Sequence, residues 1–264
     1  MLRVMSFNAN GLRSAARKGF LDWFAAQAVD VLCVQETKAQ RATLDDPALV
    51  PAGYRCYSVD AVRKGYSGVA IYSREAPDAI VEGLDWPEFD AEGRYIEARF
   101  GTLRIGSLYL PSGSSGEERQ RAKYRFIDGI LPRLQAMVGA ARAGRGEAIL
   151  CGDWNIAHRE IDVKNWRSNQ KNSGFLPDER AWIDRLLNEV GWVDAFRHIN
   201  TDADEFTWWS FRGQAWAKNV GWRIDYQLVT PGIASSIRDV WVHRADRFSD
   251  HAPLVVDYSL TWPP

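Results

Sequence analysis

Five places along the chain bring an oxygen-bearing or imidazole side chain to an end of an apolar, strand-like run. Asn8 and Asn10 follow LRVMSF, and Glu36 follows DVLCVQ. Asp153 and Asn155 follow AILCG, Asp225 lies within WRIDYQLV, and Asp250-His251 stand before APLVVDY. Loops at strand ends on a rigid scaffold are where sites are built. Carboxylates and amide oxygens, with one imidazole and no thiolate, suit Mg2+ or Mn2+ far better than zinc. Such a set can neutralise phosphate oxygens and orient a water for in-line attack at phosphorus. The chain has no glycine-rich nucleotide loop, dinucleotide fingerprint or nucleophile elbow. Hydrolysis of a phosphodiester therefore fits better than nucleotide-driven transfer.

The elements that must hold these groups are legible as short apolar runs alternating with amphipathic stretches. Strands are predicted at Leu2–Asn8, Val29–Gln35, Ser67–Ser73, Ala148–Cys151, Ile224–Val229, near Val240–His243 and at Pro253–Tyr258. Tyr95–Phe100 and Leu103–Leu110 form a hairpin around Gly101-Thr102. Runs such as DVLCVQ are almost wholly apolar, as strands covered on both faces are. Helical spacing marks Gly11–Gln27, with Phe20, Leu21 and Phe24 on one face, and Glu117–Ala143, where Pro132 predicts a kink. A third helix, Asp178–Val190, ends at Gly191. Many strands with few helical crossovers predict stacked sheets with helices outside. No repeat, linker or low-complexity tract interrupts the chain, so residues 1–264 read as a single domain.

Composition narrows the class. With 33 basic against 34 acidic residues, a net charge of −1 excludes a purely electrostatic nucleic-acid binder, though not a basic face on an otherwise acidic body. A 46% hydrophobic, 25% charged chain is ordinary for a globular protein. No apolar run reaches the ~18 residues that span a bilayer, and MLRVMSFNANGLRS lacks the apolar core of a secretory signal. Cys33, Cys56 and Cys151 have no metal-ligand spacing, and two of them lie in strand-like runs. They read as reduced thiols, and the expected location is the cytoplasm.

Seven segments occur in order: FNANGLR (Phe7–Arg13), QETK (Gln35–Lys38), YLPSG (Tyr109–Gly113), GDWNIAH (Gly152–His158), NQKNSGF (Asn169–Phe175), VGWRIDY (Val220–Tyr226) and SDHAPL (Ser249–Leu254). Together the chain resembles the exonuclease III type of apurinic/apyrimidinic (AP) endonucleases, within the wider endonuclease/exonuclease/phosphatase superfamily. GDWN and SDHAP alone would point only to that superfamily. QETK, NGLR and GWRIDY narrow the resemblance to the DNA-repair branch.

The resemblance implies a four-layered α/β sandwich of two packed mixed β-sheets flanked by helices. It implies Mg2+-dependent cleavage 5′ to abasic sites in duplex DNA, with Mn2+ able to substitute, and variable 3′-5′ exonuclease and 3′-phosphatase activity. Double-stranded DNA with abasic sites or 3′-blocked ends is the implied partner, no membrane is involved, and a monomer is the default. Residue by residue, Glu36 resembles the principal metal ligand, helped by Asn8, with Asp250, Asp153, Asn155 and His251 beside it. Asp153 and Asn155 match the positions that activate the attacking water, Tyr109 and His251 those that reach the scissile phosphate, and Asp225 the one that orients His251. The base is left open between Asp153 and His251, with Asp153 favoured because an imidazole beside a phosphate tends to be protonated.

Ser112 stands where some relatives have asparagine, which weakens one phosphate contact. Trp208 (or its neighbour Trp209) and Trp222 match aromatics that wall a pocket for a flipped-out abasic sugar. Arg13, Lys38, Lys171 and Lys218 are expected to track the duplex backbone, with Asn169 and Asn172 adding neutral hydrogen bonds. Other basic residues, among them Arg63, Arg121, Lys123 and Arg167, read as solvated surface, and His158 as structural. Two rivals follow from the same motifs. One is a nucleic-acid-binding regulator that has lost catalysis, disfavoured because every catalytic position is filled. The other is a small-molecule or lipid phosphoesterase, which would need no salt-dependent duplex binding.

Overall fold

Side chains alternate across a strand, and in Leu2–Asn8 both sets are buried: Leu2 and Val4 in one apolar cluster, Met5 and Phe7 in another. A strand with two covered faces must lie inside a layered structure. The computed structural model describes residues 1–263. Its strands are β1 (Leu2–Asn8), β2 (Val31–Gln35), β3 (Arg55–Val59), β4 (Val69–Ser73), β5 (Ala79–Glu82), β6 (Tyr95–Phe100), β7 (Leu103–Tyr109), β8 (Glu147–Asp153), β9 (Val193–Asp194), β10 (Asp225–Val229), β11 (Ile237–Val242) and β12 (Leu254–Tyr258). The helices are α1 (Leu12–Arg17), α2 (Phe20–Ala26), α3 (Arg41–Leu44), α4 (Pro87–Asp90), α5 (Glu117–Arg142), α6 (Trp166–Asn169), α7 (Pro177–Asp184) and α8 (Ala195–Ile199).

The strands form two mixed six-stranded sheets, ordered β11-β12-β1-β2-β4-β3 and β5-β6-β7-β8-β10-β9. Val4, Val31, Cys33 and Ile71 of the first sheet pack against Ile96, Ile105, Ile149 and Cys151 of the second. The first sheet's other face carries Phe7, Val34 and Tyr72 against Leu12 of α1 and Phe20 and Phe24 of α2. The second sheet's other face carries Leu108 and Leu150 against Phe126, Ile130 and Leu134 of α5. This is the helix–sheet–sheet–helix sandwich expected. A few polar groups cross the inner layer with partners: Gln35 Nε2 donates to Ser107 Oγ at 3.0 Å, and Tyr258 OH to Gln227 Oε1 at 3.0 Å. All three cysteines are free, and Cys33 and Cys151 are buried. Among the described residues no helix is long and apolar enough to cross a membrane.

Departures from the sequence reading have local causes. The helix expected over Gly11–Gln27 breaks at Gly19, whose φ of 87° no helix accommodates, giving α1 and α2. α5 spans the stretch predicted around Pro132 as one helix, Glu117–Arg142, one residue short of the expected end. The helix expected over Asp178–Val190 is α-helical only to Asp184, then widens into a π-helical turn over Arg185–Val190 that Gly191 closes at φ 101°. β3, β5 and β9 lie outside the predicted strands and β11 begins before Val240; all four are sheet edges. β3 and β5 carry exposed residues and lack the continuous apolar run that marks a central strand.

A buried ion network ties the loop after β8 to the approach to β10. Arg223 has no exposed surface; its Nε lies 2.7 Å from Asp162 Oδ1 and its Nη2 2.8 Å from Asp194 Oδ2, while Arg197 Nη2 reaches Asp162 Oδ1 at 2.8 Å. Burial works against the Asp162 charge, but Arg223 and Arg197 outweigh it and hold the carboxyl down at about 2. Asp162→Ala leaves a buried guanidinium short of its main partner and is expected to cost about 3–5 kcal/mol. Urea unfolding checks this, and a loss under about 1 kcal/mol would mean the network is not what secures Arg223.

Candidate active site

Strand register brings the motif residues to one edge of both sheets. β7 and β8 are parallel with Tyr109 beside Asp153, and β8 and β10 antiparallel with Asp153 beside Asp225. Tyr109, Asp153 and Asp225 therefore stand in a row across three neighbouring strands. Gly152 permits that approach, since a Cβ there would collide with the Leu108 carbonyl of β7. In the other sheet β1 and β2 are parallel with Asn8 beside Gln35, so Glu36 emerges at the same edge. The segment before β12 returns Asp250 and His251 to it. Asn8 Nδ2 bridges the sheets by donating to Asp153 Oδ2 at 2.8 Å.

Asp153 is nearly inaccessible and receives two further hydrogen bonds from Asn155: the backbone N–H on Oδ1 at 2.9 Å and Nδ2 on Oδ2 at 3.3 Å. His251 Nδ1 donates to Asp225 Oδ2 at 2.8 Å, and its Nε2 stands 3.8 Å from Asp153 Oδ2. Thr207 Oγ1 fixes the Asp225 main chain by accepting its N–H at 3.1 Å. Burial pushes the Asp153 carboxyl up to about 7, with the Asp225 charge adding and His251, the Asn155 N–H and Asn8 holding it back. Burial alone would discharge the His251 imidazole. The Asp225 contact, with Asp153 and Asp250, outweighs it and raises the group to about 10. His251 is thus an imidazolium at neutral pH, while Asp153 is poised to take a proton.

These groups close a cleft of about 890 Å³ lined by Asn10, Glu36, Lys38, Tyr109, Ser112, Asp153, Asn155, Lys171, Asn172, Trp208, Trp222, Asp250 and His251. Asn8 and Asp225 lie just beneath this lining, as the partners of Asp153 and His251. Lys38 Nζ pairs with Glu36 Oε1 at 2.9 Å. Asn10 Nδ2 donates to Asp250 Oδ1 at 2.8 Å and Trp208 Nε1 to Asp250 Oδ2 at 3.2 Å. Burial opposes the Asp250 charge, but His251 and these donors keep its carboxyl below the ordinary value. Asn10, Glu36, Lys38 and Asn155 all have positive φ, between 44° and 55°. Strained backbone of this kind concentrates where side chains must be aimed, at a cost of about 1–3 kcal/mol each.

Trp222 and Trp208 meet edge to face, with ring centroids 6.2 Å apart at 90°, and both line the cleft. Trp209 does not: it is fully buried against Phe206 and Ala215, so Trp208 is the wall residue of that pair. Arg13 and Lys218 are exposed away from the cleft lining. Asn169 also stands outside that lining but accepts from Asn172 Nδ2 at 2.8 Å, which does line it. His158 pairs with Asp184 at 2.8 Å, outside the site, in keeping with a structural role.

Two residues of the site, Thr207 and Arg94, have no signal in the sequence. Asn10, which stands out there beside Asn8, gains a definite partner in Asp250. Arg94 is buried in β6's approach, its Nη1 donating to Tyr109 O at 2.8 Å and its guanidinium lying 4.8 Å from the Tyr109 ring centre. Burial, then the nearby Glu36 and Asp153, keeps the Tyr109 phenol well above its ordinary range, so it is a neutral donor.

Oxygen donors from Glu36, Asp153, Asp250 and the two asparagines, with no thiolate, fit a hard divalent cation. Carboxylate and imidazole atoms of Asp153, Asp225 and His251 also cluster within 4.8 Å of one another. The ensemble offers a polar cleft on which a proton acceptor, an imidazolium and a phenol converge.

A family model described as Endonuclease/Exonuclease/phosphatase family matches residues 5–251. The exodeoxyribonuclease of Bacillus subtilis (strain 168) is 37% identical over 255 residues, covering 96% of this chain and 98% of the relative. An AP endonuclease from Archaeoglobus fulgidus superposes with a TM-score of 0.88 at 30% identity, covering 98% of this chain and all of that one. A 3′-5′ exonuclease from Neisseria meningitidis gives 0.87 at 28%, again over 98% and 100% of the two chains. The chain belongs to the endonuclease/exonuclease/phosphatase family, in the branch that holds exodeoxyribonucleases and AP endonucleases.

Proposed function

We propose that this protein is a divalent-metal-dependent DNA-repair nuclease that hydrolyses the phosphodiester 5′ to abasic sites in duplex DNA, with 3′-5′ exonuclease and 3′-phosphatase activity on blocked ends. The observation that carries the reading is Asp153, held at the junction of the two sheets by Asn8 and Asn155, 3.8 Å from an imidazole backed by Asp225. Residues 1–264 act as a single domain and a monomer, in the cytoplasm.

Glu36, Asn8 and Asp250, with Asp153 and Asn155 beside them, are the residues that would hold Mg2+, or Mn2+ in its place; His251, protonated on both ring nitrogens, has no lone pair to offer a metal. Bound there, the cation supplies charge neutralisation at phosphate oxygens. Asp153 takes the proton of the attacking water. Asn155 has its amide N–H groups engaged with Leu110 O and Asp153, leaving Oδ1 to accept from that water and aim it. His251 as imidazolium and Tyr109 as neutral phenol donate to the phosphate oxygens as negative charge builds. Trp208 and Trp222 take the abasic sugar, which a normal nucleotide's base would prevent from entering. Arg13, Lys38, Lys171 and Lys218, with Asn169 and Asn172, track the backbone, so each phosphate neutralised adds ~0.9 to the log–log salt slope.

A duplex with one tetrahydrofuran abasic analogue tests this. Incision 5′ to the analogue is expected with Mg2+ and none with EDTA. Loss only from a recessed or 3′-phosphorylated end would keep the catalytic centre and remove the abasic pocket. Binding without any product would replace the enzyme with a regulator.

A further inference from the structure

Behind the cleft, α5 and α7 bury a charged pair that does not line it. Lys123 and Glu179 have no exposed surface, and the ammonium is within hydrogen-bond reach of Glu179 Oε1. Lys123 Nζ also donates to the Asn155 carbonyl at 2.8 Å. Glu179 divides its work: Oε1 faces Lys123 and Gln120 Nε2, while Oε2 accepts the backbone N–H of Gly174 at 2.6 Å and of Leu176 at 3.0 Å. Gly174, at φ 93°, returns its carbonyl to Ala157 N at 2.8 Å. The pair therefore fastens the main chain of Asn155 to the far end of the segment that carries Lys171 and Asn172.

Burying two charges is expensive, and well-packed apolar residues of similar volume commonly serve stability as well or better. A position that needs only filling does not require this pair. What it provides is direction: five hydrogen bonds, two given by Lys123 and four taken by Glu179 with one shared between them, hold two loops that meet at the cleft.

We propose that Lys123 and Glu179 are positioning residues for incision, Lys123 holding Asn155 in its water-aiming place and Glu179 holding the Gly174–Leu176 turn; this rests on the role of Asn155 given above. The two halves are separable. Lys123→Met removes the donor to Asn155 O but leaves Glu179 Oε2 on its two N–H groups. Incision of the tetrahydrofuran duplex by Lys123→Met is expected to show kcat about 100-fold down, the cost of roughly 1 Å of misplacement, with KM within about threefold. Lys123→Arg, which keeps a charged donor facing Glu179, is expected to recover about tenfold or more of that loss. The double variant Lys123→Met/Glu179→Gln leaves no charge unpaired and keeps an amide oxygen for the Gly174 and Leu176 N–H groups, so it is expected to unfold near the wild-type urea concentration while remaining slow. Asn155→Ala, run beside them, separates the two levels. If it keeps wild-type kcat, the role of Asn155 falls and the proposal with it. If Asn155→Ala is inactive yet the folded double variant turns over at the wild-type rate, or a Lys123→Arg that unfolds near the wild-type urea concentration is as slow as Lys123→Met, the positioning role is overturned on its own.

Discussion

Asp153→Asn should lower the single-turnover rate of incision by at least ~10³-fold and leave duplex affinity within a few-fold. The carboxylate lies at the meeting of everything that defines the site: Asn8 from one sheet, Asn155 from its own loop, and His251 across the cleft. Asparagine preserves shape but cannot accept a proton at neutral pH. Its amide N–H groups would also face the Asn8 and Asn155 donors that now converge on Oδ2. Removing a negative charge beside a bound phosphate gives no reason for weaker binding, so the loss belongs in kcat rather than KM. Rapid-quench incision paired with anisotropy on the uncleaved duplex separates the two. A variant turning over within tenfold of wild type would remove Asp153 as base and transfer that task to another group.

That residue was visible in the sequence because it ends a central strand. Where AILCG and DVLCVQ are buried on both faces, the apolar run has a sharp end, and the polar residue beyond it is conspicuous. Register then does the rest, since Tyr109, Asp153 and Asp225 fall side by side once β7, β8 and β10 pair. The edge strands β3, β5 and β9 had no such contrast. Lys123 reads as surface for a related reason: on a long helix with an exposed face, a lysine carries no sign of being turned inward, and only the packing of α5 against α7 shows it buried. Arg94 and Thr207 were silent because what they hold is backbone, a contact that leaves no pattern in residue type. Choosing Trp208 over Trp209 needed the structure as well, since adjacent residues on extended chain face opposite sides and the sequence does not say which side is the cleft.

Asp225→Asn makes the second strong expectation, and its sign comes from the imidazole. In the wild type the largest favourable influence on the His251 charge is Asp225, and together with Asp153 and Asp250 it overcomes burial to raise the group to about 10. The asparagine keeps an oxygen for Nδ1–H, and Thr207 still holds the main chain, so orientation survives while the charge does not. Burial then counts more heavily, and the His251 pKa must fall. A group that works as a cation is active below its pKa and lost above it. Wild-type incision should therefore hold on its basic side towards pH 10, while Asp225→Asn loses rate as pH rises through a lower value. The deficit is expected to reach about 10²–10³-fold near pH 8 and to narrow at pH 6. His251→Asn, with nothing to protonate, should be slow at every pH and lack the basic limb altogether. If Asp225→Asn kept the wild-type limb, the carboxylate would serve only to orient the ring, and the cation at the phosphate would have to come from elsewhere in the cleft. Lys38 and Lys171, both in its lining, would then be the first to replace.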